Sequence, residues 1–179
     1  YSYKWVGEDA VHGDVVTPHE ATHKDDMRLC MNLWELIEQA NVLVYHNGIN
    51  FDLPMVRTAM LVNALPPSRK IKSIDTYQLS KEFRFNSNKL DSLGEQLSLG
   101  RKIKHEGMLM WIKCLEGDTE ALRLMLEYNK QDVALLEEIY LALAPYSTRH
   151  PNLAVELGDK IRCNICCSDN VHPPGNPVS

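Results

Sequence analysis

Three side chains have the types and spacing to manage a divalent cation and a water molecule: Asp52, Tyr128 and Asp132. Asp52 lies in the segment VLVYHNGINFDLP, after the apolar run Val42-Leu43-Val44-Tyr45 and the polar turn His46-Asn47-Gly48. A carboxylate near a strand end stands where a metal ion can sit. Tyr128 and Asp132 are four apart in LEYNKQDVALL, a spacing that puts both on one face of a helix. A cation held by Asp132 would lower the pKa of a bound water, and a neighbouring phenol would orient that water. Each segment also has a plainer reading. Asp52 can cap the helix that begins at Leu53, and Asn47 can serve a turn. Tyr128 and Asp132 can be the polar side of an amphipathic helix.

The elements that would position these residues follow from periodicity. Residues 1–6 (YSYKWV) alternate as a strand does, and the stretch with Gly7, Gly13 and Pro18 reads as turn and loop. Residues 25–40 have Leu29, Leu33, Leu36, Ile37 and Ala40 at helical spacing behind Asp25-Asp26. Residues 42–45 suit a buried strand, 53–63 a helix with Pro54 in its first turn, and 71–74 another strand. Short helices follow near 76–81 and 89–97, and two helical patterns cover 118–127 and 129–144. Strands alternating with helices imply an α/β domain in which helices flank a mixed sheet. Functional residues in such sheets collect at strand ends and the loops that follow.

Taken together, the two segments are more specific than either alone. Asn47-x-x-x-Phe51-Asp52 leaves an apolar strand, and Tyr128-x-x-x-Asp132 lies on a late helix about eighty residues on. Between them stand Ser73-Ile-Asp-Thr-Tyr-Gln-Leu and Lys89-Leu-Asp-Ser-Leu. Over roughly residues 1–145 the chain resembles the DEDDy 3′–5′ exonucleases of the ribonuclease-H-like superfamily. The likeness is to exonuclease domains of family B DNA polymerases and their stand-alone phage and bacterial relatives. The resemblance implies that Asp52 and Asp132 are ligands to Mg²⁺ or Mn²⁺ and that Tyr128 positions the nucleophilic water. It implies that Asn47 and Phe51 face the substrate; His46 either contacts substrate or serves the turn. The implied partner is a nucleic acid 3′ end, single-stranded DNA, in the setting of a DNA polymerase or of replication and repair proteins.

The family's first motif is Asp-x-Glu on the first strand of the sheet, and no such pair ends an apolar first strand here. Glu8, Asp9 and Asp14 lie in or beside a loop, and Asp25-Asp26 begins a helix. The resemblance makes Tyr1–Val6 the second strand of a ribonuclease-H-like sheet that lacks its first. The opening YSYKWVGEDA has no initiator Met, which points to a processed chain or a fragment. The other reading is a divergent protein that has lost catalysis and keeps a nucleic-acid-binding role. Two-metal phosphodiester cleavage needs several carboxylates around cations about 4 Å apart. Asp52 and Asp132 alone would hold metal loosely, so the chain by itself is expected to be inactive or weak.

A net charge of −5 and a pI near 5.8 exclude a protein that coats nucleic acid by charge. They do not exclude a nuclease, whose bound cations reverse the local field. Basic residues gather at Arg69, Lys70 and Lys72 and again at Arg101, Lys102 and Lys104, as a solvated face or as a phosphate-contacting edge. Asp75 is expected to cap a helix or support structure, and Trp5, Trp34 and Trp111 to belong to the core. Neither a membrane-length apolar stretch nor a signal peptide is seen, so a cytoplasmic chain is expected, and the resemblance implies a bacterial or phage-infected cell.

Five cysteines without a secretory signal fit a reducing compartment. Cys30 and Cys114 read as small buried side chains in helices. Cys163-x-x-Cys166 is half of a zinc knuckle; the expectation is that Cys167 and His172 complete an odd Zn²⁺ site, or that a second Cys pair has been lost at the C-terminus, or that the thiols are free in a disordered tail. The expected division is a domain over 1–148 and a linker with a partial zinc-knuckle-like tail over 149–179.

Overall fold

The computed structural model describes residues 1–99, 107–153 and Cys163. In chain order the strands are β1 (Ser2–Tyr3), β2 (His12–Gly13), β3 (Val42–Tyr45) and β4 (Lys72–Asp75). The helices are α1 (Pro18–His23), α2 (Met27–Gln39), α3 (Asp52–Val62), α4 (Thr76–Ser80), α5 (Leu90–Gln96), α6 (Met108–Leu115) and α7 (Thr119–Leu143). A single 3₁₀ turn, Ala144–Tyr146, follows α7.

The α/β class is as expected, but in place of one mixed sheet the described strands form two separate pairs. β1 and β2 pair antiparallel, whereas β3 and β4 pair parallel with Tyr45 opposite Asp75. Among the described residues no backbone ladder joins the two pairs. They are united by α7, which packs on β1 and β2 and also on α4, α5 and α6. The parallel pair needs a crossover, and α3 supplies it.

Two elements arise where loop was expected. The first is α1, and its signal is Thr17-Pro18-x-Glu20. Thr17 Oγ1 accepts the Glu20 N–H at 3.2 Å, and a Glu20 carboxylate oxygen accepts the Thr17 N–H at 2.7 Å. This reciprocal cap, with Pro18 at the first helical position, starts a helix in a segment whose glycines and proline suggest a loop. The second is β2, only two residues long. Gly13 permits it: a Cβ there would lie 2.8 Å from the Tyr1 carbonyl oxygen and 2.7 Å from Ser2 Oγ. The strand expected over residues 1–6 correspondingly shrinks to Ser2–Tyr3, the part that β2 can pair.

The expected helices over 118–127 and 129–144 are one continuous helix of 25 residues, α7. No Gly or Pro interrupts it, and Asp118 caps it by accepting the Ala121 N–H at 2.7 Å. Its two halves serve different cores. Ala121 and Leu122 pack with Met110 and Cys114 of α6 and with Val15 and Val16. Leu135, Ile139, Tyr140 and Leu143 pack with Ile74, Leu79 and Leu93, against which Val42 and Val44 of β3 also lie.

Cys30 and Cys114 are buried, as their helical settings suggest, and burial pushes both thiols above their usual pKa. The tryptophans depart from expectation. Trp5 and Trp34 are half-buried, but Trp111 is 54% exposed on the outer side of α6. Met110 and Cys114, four apart, are the residues that α6 turns inward, so the neighbouring Trp111 faces out.

Candidate active site

β3 delivers the chain to the turn that precedes Asp52. Asn47 adopts the left-handed conformation, φ 58°, which Asn tolerates better than most residues. Its side-chain Oδ1 accepts from Asn50 Nδ2 at 2.8 Å, and its N–H donates to Asp75 Oδ1 at 2.7 Å. Gly48 is buried in the bend, where a Cβ would come within 2.7 Å of the Tyr45 ring.

Asp52 is the first residue of α3 and is exposed. The N-cap is Phe51, which makes no side-chain cap bond, so Asp52 does not act as the cap that its sequence setting allows. Its carboxylate sits at the positive end of the helix dipole. Among the described residues the Asp52 side chain has no hydrogen bond. Phe51 beside it is 63% exposed, a large apolar ring in solvent.

His46 has both ring nitrogens in internal contacts. Nδ1 lies 2.9 Å from Thr76 Oγ1, and Nε2 lies 3.0 Å from the Asn88 carbonyl oxygen. These contacts tie the ring to the first residue of α4 and to the segment before α5. Asp75, buried at the end of β4, caps α4 by accepting the Tyr77 N–H at 3.0 Å. That agrees with its expected capping role.

Tyr128 and Asp132 occupy successive turns of α7 and are half-buried. They lie between the helix's two core segments, after Leu122 and before Leu135. An Asp-x-Glu tripeptide does occur elsewhere in the chain, at Asp118-Thr119-Glu120. It is no strand motif: Asp118 caps α7, and Glu120 pairs with Arg123 at 2.6 Å. Arg69 of the first basic cluster braces the chain, its N–H donating to Glu38 and its guanidinium to the Glu38 and Ala40 carbonyls.

The hard oxygens of Asp52 and Asp132 suit Mg²⁺ or Mn²⁺. The number of donors falls short. Among the described residues no three His, Cys, Asp or Glu side chains come together as a metal-holding group. Cys163 is partly exposed, and Cys166 lies outside the described residues. No helix among the described residues is long and apolar enough to cross a membrane.

The family model of the ribonuclease H superfamily matches residues 6–144. The chain belongs to the ribonuclease H superfamily. That match takes in β3 with its turn, Asp52, and α7 with Tyr128 and Asp132. No curated protein matches the chain. Ribonuclease-H-like proteins are generally nucleases acting on nucleic acids, typically with divalent metals. This gives the chain its fold and its general chemistry.

Proposed function

We propose that this ribonuclease-H-like chain is a metal-dependent 3′–5′ exonuclease domain acting on single-stranded DNA ends. Asp52 and Asp132 are its ligands for Mg²⁺ or Mn²⁺, and Tyr128 is the group beside the attacking water. The carrying observation is that both motifs fall within the matched stretch 6–144, on elements suited to their roles. Asp52 stands exposed where a strand turns into a helix, and Tyr128 and Asp132 share one helix face. Asn47 and Phe51 flank Asp52 and are the residues that would meet the terminal nucleotide.

A bound divalent cation would supply positive charge to the phosphodiester. The chain's own contribution is positional. α7 places Tyr128 and Asp132 one turn apart, and the β3 turn presents Asp52. Two carboxylates are few for such a site, so the activity of these 179 residues is expected to be weak. The shortage of donors also favours a second reading, a binding module of the same fold that no longer cuts.

The test is release of nucleotides from a 5′-labelled single-stranded DNA in Mg²⁺ or Mn²⁺, with anisotropy measured on the same oligonucleotide. The exonuclease reading expects slow shortening from the 3′ end. Asp132→Ala should abolish it, and Tyr128→Phe should lower it about 100-fold or more. Equal rates for wild type and Asp132→Ala would remove these residues from the site. Binding of the oligonucleotide with no shortening would select the binding module.

A further inference from the structure

Tyr45 and Asp75 are register partners at the C-terminal ends of the two parallel strands. Beyond that point the three residues 45–47 are each held from the β4–α4 side. Thr76 Oγ1 donates to the Tyr45 carbonyl at 3.1 Å and lies 2.9 Å from His46 Nδ1. Asp75 Oδ1 accepts the Asn47 N–H at 2.7 Å and, at the same time, the Tyr77 N–H at 3.0 Å.

The turn passes this anchorage on to α3. The Asn47 carbonyl accepts the Asn50 N–H at 3.2 Å, and the Gly48 carbonyl accepts the Leu53 N–H at 2.9 Å. The Phe51 carbonyl accepts the Met55 N–H at 3.3 Å. Asp52 lies between these last two bonds. Hydrogen bonds and short backbone links therefore run from Asp75 to both sides of Asp52.

We infer that Asp75 is a positioning residue for Asp52, acting through the Asn47 amide; this rests on the exonuclease reading above. A carboxylate that only capped α4 would need the Tyr77 N–H alone and could remain in water. Asp75 is instead only 7% exposed, and its Oδ1 is shared with an amide outside α4. Its Oδ2 is buried and has no hydrogen-bond partner among the described residues. Leaving a buried polar atom unpaired is costly, so the two bonds at Oδ1 must outweigh that cost. The bond to the Asn47 N–H ties down a residue in the left-handed conformation, at the bend that sends the chain from the sheet to Asp52.

Two substitutions separate capping from positioning. Asp75→Asn keeps an acceptor of the same reach for both amides. Asp75→Ser keeps a good helix cap for Tyr77, but its shorter side chain cannot also reach Asn47. The whole chain is assayed for kcat and KM on single-stranded DNA in Mn²⁺, and backbone amide resonances are recorded by ¹H–¹⁵N NMR.

The expected result is that Asp75→Asn stays within about threefold of wild type, with the Asn47, Asp52 and Tyr77 amides unmoved. Asp75→Ser should lower kcat about tenfold or more at a KM within about twofold, because a small misplacement at a reacting centre is costly. It should shift the Asn47 and Asp52 amides. Wild-type kcat and an unmoved Asp52 amide in Asp75→Ser would overturn the inference. So would equal damage from Asn and Ser, which would assign the effect to the charge. If Asp52→Ala cleaves as fast as wild type, the exonuclease reading fails separately, and the amide shifts alone judge the positioning.

Discussion

The Tyr140 hydroxyl lies 2.9 Å from His150 Nε2, and the two rings stack with centroids 5.6 Å apart. His150 Nδ1 is 2.7 Å from the Pro151 carbonyl oxygen. A carbonyl only accepts, so Nδ1 carries the proton. In the neutral imidazole Nε2 then accepts from the buried tyrosine hydroxyl. This pair ties the segment after α7 to the core that Tyr140 enters.

Burial holds the His150 pKa below its ordinary 6.5. The unfolded chain therefore binds the proton more readily than the folded one. The contribution is complete above pH 6.5 and declines as pH falls through the lower folded value. His150→Gln should narrow the stability difference from wild type as pH drops from about 7.5 to about 5. Urea midpoints across that range check it, and a difference independent of pH would contradict the assignment.

Glu82 is a second link to the end of α7. Its carboxylate accepts from the Ser147 hydroxyl and, at 2.8 and 2.9 Å, from the Thr148 hydroxyl and N–H. These bonds, that of Ser147 foremost, bring its pKa down to about 2 from 4.5. Its stabilisation is fully present above pH 4.5 and is lost as pH falls through about 2. Glu82→Gln should cost about 1–2 kcal/mol at neutral pH, toward the lower end for hydrogen bonds to a charged group because Glu82 is only half-buried. Thermal unfolding of the two proteins should converge in acid; a constant offset would count against the carboxylate's role.

Gly13 offers a test of the β1–β2 pair. An added Cβ meets the Tyr1 carbonyl oxygen and Leu126 of α7, each at 2.8 Å. A backbone oxygen cannot swing away as a flexible side chain can, so Gly13→Ala should cost about 1–3 kcal/mol by overpacking. Chemical denaturation measures it. An unchanged midpoint would mean that β2 does not approach β1 and α7 this closely.

Much of this molecule is legible from short stretches of sequence. The apolar run Val42–Tyr45, the helical spacing in residues 25–40 and the long apolar periodicity before Pro145 all declare their elements, because period and propensity are properties of neighbouring residues. The Asn-x-x-x-Phe-Asp and Tyr-x-x-x-Asp segments belong to this class and point to the ribonuclease H superfamily. The cap at Thr17–Glu20 was equally local, but the glycines and proline around it spoke for loop.

What only the tertiary structure decided involves residues far apart in the chain. Asp75 reaches Asn47 across 28 positions, and His46 meets the Asn88 carbonyl across 42. No period or propensity encodes such pairs, since each forms only when the parallel strands lie in register. The same holds for Trp111, whose outward face depends on which side of α6 meets α7. Sequence alone thus marked most of the elements and singled out the side chains proposed to carry chemistry. Packing determined which polar groups are tied inward, as His46 and Asp75 are, and which, like Asp52, stand exposed.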